Sequence, residues 1–117
     1  MLVDTSVWIN HFRRSNDDLE FFLEEGSVSM HPFVIGEIAC GSLRRRKDVI
    51  DLLERLPRAP VATDREVMKF IEIEKLHGSG LGLIDVHLLA SARLAHESLW
   101  SADRQLRQTA VRLGLAD

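Results

Sequence analysis

Residues 1–12, MLVDTSVWINHF, change character at the fourth position. Met1, Leu2 and Val3 read as a short buried strand, while Ser6 to Phe12, with Val7, Trp8, Ile9 and Phe12 apolar, has helical spacing. Between them stands Asp4, followed by the two hydroxyls Thr5 and Ser6. A strand that runs straight into a helix is the opening unit of an alternating chain. A carboxylate at that junction either caps the helix or serves a site at the carboxyl end of the strand.

The same alternation continues outward. Asn16-Asp17-Asp18 offers a cap and first-turn acids for a helix through Leu19, Phe22 and Leu23 that stops at Gly26, and Ser27 to Met30 reads as a second short strand. Pro32 fits the first turn of a helix that runs to about Cys40, with Gly41 as its stop; the basic run Arg44-Arg45-Arg46-Lys47 then leads to a helix near Val49 to Leu56, ended by Pro57. Pro60-Val61-Ala62 suggests a third strand. Thr63-Asp64-Arg65-Glu66 has the spacing of a capping box ahead of Val67, Phe70, Ile71 and Leu76. After the loop Gly78-Ser79-Gly80-Leu81-Gly82 come an amphipathic helix from Ile84 to Ala95, a fourth strand at Leu99 to Ser101, and a last helix from Gln105 to Leu113. Strands alternating with helices predict an α/β fold with a parallel sheet covered by helices.

Composition narrows the class. With 117 residues, 45% of them hydrophobic, the chain suits one domain over residues 1–117. There is no internal repeat or low-complexity stretch, no signal-peptide pattern and no apolar run of membrane-spanning length, so a cytoplasmic protein without a membrane partner is expected. The single cysteine, Cys40, excludes an internal disulfide framework and a cysteine-based zinc cluster. A net charge of -3 argues against a strongly basic nucleic-acid binder but leaves room for a local basic patch, for which Arg13-Arg14 and Arg44 to Lys47 are candidates.

Four acids stand out against this background. Asp4 follows the first strand, Asp103 follows the last, and Asp85 lies in the first turn of the helix after the glycine loop. Glu37 sits in Phe33-Val34-Ile35-Gly36-Glu37-Ile38-Ala39, a helix apolar nearly all round, where an ionised acid is costly unless it is paired or metal-bound. Taken singly, Asp4 and Asp103 are also good helix caps, Asp85 suits a helix dipole, and Glu37 could reach solvent or an arginine. One shared site explains the set more economically. Carboxylates brought together repel and raise one another's pKa values unless a cation compensates, and oxygen-only ligands favour Mg2+ or Mn2+ over zinc. Metal-activated water attacking a phosphodiester is the chemistry such a set can serve.

The stretches LVDTSVWI around Asp4, VIGEIACG around Glu37, LIDVHLLASARL around Asp85 and LWSADRQL around Asp103 together resemble the PIN-domain ribonucleases, specifically the VapC-type toxins of prokaryotic toxin–antitoxin pairs. The resemblance spans nearly the whole chain. It implies a three-layer α/β/α sandwich with a short parallel central sheet and a Mg2+- or Mn2+-dependent endoribonuclease acting on RNA. It also implies neutralisation by a cognate antitoxin, and a homodimer. Carried over by position, Asp4, Glu37, Asp85 and Asp103 form the acidic catalytic set, with Asp4, Asp85 and Asp103 as metal ligands. Ser6 matches the family's hydroxyl beside the first aspartate, and Ser101 replaces a common threonine. Gln105 stands where many members carry a further acid, a departure that bears on a second metal. Arg13, Arg14, Arg44, Arg45, Arg46 and Arg104 are the candidates for RNA phosphate contacts.

Other features are assigned to structure. The glycine loop lacks a P-loop lysine and reads as flexible; the five histidines show no paired ligand spacing; Cys40 reads as a small buried side chain, and Trp8 and Trp100 as core. A receiver-like or acidic phosphohydrolase domain also gathers aspartates at strand ends. The only lysines are Lys47, Lys69 and Lys75, none after the last strand, and Ser6 stands where a phosphohydrolase needs an acid. A non-catalytic interaction module, with acids that only cap helices, is the alternative from a different class.

Overall fold

Leu2–Val3 (β1) and Leu99–Trp100 (β2) pair in parallel, Leu2 opposite Leu99 and Val3 opposite Trp100, so the two ends of the chain meet at the centre of the molecule. The computed structural model describes residues 1–117, with the helices α1 (Thr5–Arg13), α2 (Asp17–Glu24), α3 (Pro32–Cys40), α4 (Arg46–Glu54), α5 (Asp64–Glu74), α6 (Leu83–Ala95) and α7 (Arg104–Arg112). The architecture is mixed and helix-rich, built round this short parallel sheet. Single parallel bridges, Leu2 to Ser29 and Met30 to Arg58, extend the pairing on the other side of β1. In space the order is therefore Leu99–Trp100, Leu2–Val3, Ser29–Met30, Arg58. Chain order reverses at β1, and the carboxyl end of a strand at such a reversal is where ligands bind in parallel sheets of this kind.

Two strands differ from the sequence reading. Ser27 to Met30 contributes only the two bridging residues, and Pro60-Val61-Ala62 forms no strand. The chain pairs slightly earlier, where the Met30 amide donates to Pro57 O and the Ala59 amide donates to Met30 O. Pro60 has no N–H for a ladder, and Val61 is exposed, so the apolar triplet had no register to hold.

The helices follow their local signals closely. Asn16 accepts from the Leu19 amide at the start of α2, Pro32 opens α3, and Thr63 with Glu66 closes a full capping box on α5. The exceptions are α4, which begins at Arg46 inside the basic run and ends at Glu54 rather than running from near Val49 to Leu56, and two helices whose burial differs. α6 was expected to be amphipathic, but Val86 to Ala92 are buried without interruption. It lies between the main core, which takes Leu88, Leu89 and Ala92, and a smaller one in which Val86 and Ala90 meet Ala62, Val67 and Leu76. α3 shows the opposite correction. Val34, Ile35 and Ile38 are buried, whereas Phe33, Gly36, Glu37 and Cys40 face outward. Glu37 is thus not in an apolar surround, and Cys40 is exposed. Trp8 is core as read, and Trp100 is half-buried with its ring edge-on to Phe22. No helix is long and apolar enough to cross a membrane.

Candidate active site

Asp4 leaves the sheet through its amide, which donates to Trp100 O at 2.8 Å, and it becomes the N-cap of α1. It is buried, with 6% of its surface exposed. Three donors compensate, and all of them fall on Oδ2: the Ser6 hydroxyl at 2.6 Å, the Ser101 hydroxyl at 2.9 Å and the Ser6 amide at 3.4 Å. Ser6 Oγ in turn accepts from the Ala102 amide at 2.9 Å, and Ser101 Oγ from the Asp103 amide at 3.0 Å. The two serines therefore lock the end of β1 to the turn after β2.

Asp103 caps α7, its Oδ1 accepting from the Leu106 amide at 3.0 Å. Asp85 turns back within its own helix, where its Oδ2 accepts from the Gly82 amide at 3.2 Å. Glu37 Oε1 accepts from the Thr5 hydroxyl at 2.7 Å. Each of the four carboxylates is held through one oxygen, and the other makes no hydrogen bond to protein. None of them forms an ion pair.

The capping roles allowed for the aspartates are thus real, but they do not account for the electrostatics. Half-burial pushes the Asp85 carboxyl above its ordinary range, with the Gly82 amide pulling the other way and the charges of Asp4, Asp103 and Glu37 each raising it further. Mutual repulsion of this kind marks four acids that share a field. The side chains stand open: no three of the protein's His, Cys, Asp and Glu side chains close on one point. The all-oxygen donor set, the free oxygens and the absence of a basic partner fit a hard divalent ion.

The basic candidates divide. Arg46 is held at the end of α3, its Nε and Nη2 donating to Ala39 O at 3.2 and 3.0 Å, and Arg45 pairs with Asp48 on the surface. Arg13 and Arg44 flank a groove of about 800 Å3 whose apolar lining is Ile9, Phe12, Leu43 and Val49. Arg14 and Arg104 are exposed; Arg104 follows Asp103 directly. Sequence reasoning missed Thr5, whose role depends on α3 packing beside α1. The only signal was its place in the hydroxyl pair after Asp4.

Residues 1–112 match the family model described as "PIN domain". Two curated relatives, each named "Ribonuclease VapC32", from Mycobacterium tuberculosis strains CDC 1551 / Oshkosh and ATCC 25618 / H37Rv, are 40% identical over 117 residues, covering 99% of this chain and 94% of theirs. With both a family model along nearly its full length and relatives of matching size, the chain belongs to the PIN-domain family, in its VapC-type branch.

Proposed function

We propose that this protein is a divalent-metal-dependent endoribonuclease, the toxin of a toxin–antitoxin pair, that hydrolyses RNA phosphodiester bonds. The observation that carries the reading is the set of four carboxylates, each anchored through one oxygen and free at the other, two of which, Asp4 and Asp103, follow the parallel strands. Kinship to proteins named ribonuclease supports RNA as the substrate.

Asp4, Asp85 and Asp103 would hold the ion, Mg2+ or Mn2+, through their free oxygens. When bound, it supplies a Lewis acid for the phosphate and lowers the pKa of a water. The chain's own contribution is orientation. Ser6 and Ser101 fix Asp4 Oδ2, the Leu106 amide fixes Asp103 Oδ1, and Thr5 fixes Glu37 Oε1. Water, not the ribose 2'-hydroxyl, is the nucleophile, so the products carry a 5'-phosphate and a 3'-hydroxyl. Arg13, Arg14, Arg44 and Arg104 are free to meet RNA phosphates, whereas Arg46 first has to leave Ala39 O.

The same reading assigns the groove between α1 and the α3–α4 connection, apolar with Arg13 and Arg44 at its rim, to an antitoxin segment with apolar anchors and acidic flanks. It further takes residues 1–117 as one three-layer α/β/α domain, working as a homodimer in the cytoplasm.

Total RNA incubated with Mn2+ and the protein, beside a folded Asp85→Asn control, tests the proposal. Cuts at a few sites, metal-dependent and lost in the control, support it; equal cutting by both proteins overturns it. The alternative of a non-catalytic module draws on the caps that Asp4 and Asp103 do provide. It predicts that Asp4→Asn, which caps as well as Asp, leaves Mn2+ binding unchanged.

A further inference from the structure

The loop that delivers Asp85 is held from the opposite side of the site by one side chain. Gln105, in the first turn of α7, donates from Nε2 to Ser79 O at 2.7 Å across 26 residues. Its Cγ lies 4.0 Å from where a Cβ on Gly80 would stand. Within the loop, the Ser79 amide and hydroxyl donate to Leu76 O and Leu81 packs against the core, but no other hydrogen bond reaches across to it from α7. Gly78 and Gly80 both sit at positive φ, +68° and +81°, a conformation that glycine adopts without a steric penalty. Yet the loop ends at Gly82, the residue whose amide orients the Asp85 carboxylate.

We propose that Gln105 is a positioning residue that keeps Asp85 and Asp103 at a fixed spacing; the proposal rests on the reading of the acids as a metal centre. Asp103 caps the helix that carries Gln105, so one helical turn holds one carboxylate directly and the other through the loop. Two carboxylates that face one ion repel each other until it is bound. Without a tie, a glycine-rich loop relaxes outward under that repulsion, and a cation then has to draw the acids together at the cost of its affinity. A neutral amide makes the tie without adding a charge. An acid at this position could accept hydrogen bonds only and would add to the repulsion. Gln105 is therefore a strut, not a vacant ligand position for a second ion.

The test uses the full chain with Mn2+ alone, titrated calorimetrically, and backbone amide exchange over residues 78–82. Gln105→Leu keeps much of the volume and removes the donor. It is expected to weaken Mn2+ binding about tenfold, the scale of groups that orient ligands, and to speed exchange at Gly82 with the melting temperature unchanged. In RNA cleavage the Mn2+ concentration for half-maximal rate rises while KM for RNA holds. Gln105→Glu is expected to bind Mn2+ no better than Gln105→Leu. Wild-type affinity and exchange in Gln105→Leu would overturn the strut, as would a second Mn2+ equivalent bound by Gln105→Glu. If wild type and Asp85→Asn bind Mn2+ alike, the metal-centre reading itself has failed, and the strut with it.

Discussion

Asp4 and His31 occupy equivalent places in the chain and have opposite fates. Each is buried, each follows a segment of parallel pairing, and each is the N-cap of the next helix. Asp4 receives two hydroxyls and an amide on one oxygen, while the other makes no hydrogen bond to protein. His31 lies on the far side of β1. Its Nδ1 accepts from the Phe33 amide at 3.0 Å, which places the proton on Nε2, and that donor is buried without a partner. Phe33 and His87 pack round it, the rings of His31 and Phe33 5.0 Å apart. Burial, with the charges of His87 and Arg58 adding to it, lowers the pKa of His31 to about 4. One strand end surrounds its side chain with donors, and its neighbour leaves a buried donor without a partner. The junction is the same; the difference lies in what the rest of the chain brings to it.

The comparison breaks first at Asp4. Asp4→Asn retains the cap and is expected to leave the melting temperature nearly unchanged, while RNA cleavage under matched Mn2+ falls by about 10^2–10^3-fold, the range for losing an electrostatic group at a reacting centre. Loss of stability in proportion to activity would make Asp4 a structural residue like His31.

The second test is pH. The folded pKa of His31 lies below the ordinary value of 6.5, so the neutral ring stabilises the protein fully above pH 6.5. That contribution is lost as pH falls from 6.5 toward 4, by about 3 kcal/mol if this group acts alone. Urea unfolding across this window measures it. His31→Asn keeps an acceptor for the Phe33 amide and removes the titration, so its acid limb is expected to be flatter by that amount, whatever the packing loss costs at pH 7.

Ser101→Ala sharpens the comparison, because it removes one donor to Asp4 and the acceptor of the Asp103 amide together. A loss of about 1–2 kcal/mol in denaturant unfolding is expected, along with about tenfold weaker activity. Thr5→Val is the mildest change. The bond to Glu37 is exposed, so cleavage should drop a few-fold with stability shifted by less than about 0.5 kcal/mol.

Much of the fold was legible because its signals are short. Asn16, Pro32 and the Thr63–Glu66 box mark helix starts through bonds made within three residues, and the structure places them there. The positions of Asp4, Asp85 and Asp103 were legible for the same reason, since each stands at a helix start. What failed was burial. The outward face of α3, the exposure of Cys40 and the enclosure of α6 depend on which neighbour covers which side, and helical periodicity cannot name the neighbour. The strand expected at Pro60 to Ala62 failed because pairing needs a partner in register, and Met30 pairs at Arg58 instead.

By itself, the sequence determined the order of elements, the caps that start them and the family to which the chain belongs, because these rest on local hydrogen bonding and on motifs read along the chain. Only the tertiary structure decided that Ser101 reaches Asp4 across 97 residues, that Thr5 steadies Glu37, that Gln105 ties the loop and that His31 is held neutral. Charge and solvation at a buried group are set by everything packed around it, and most of that comes from far along the chain.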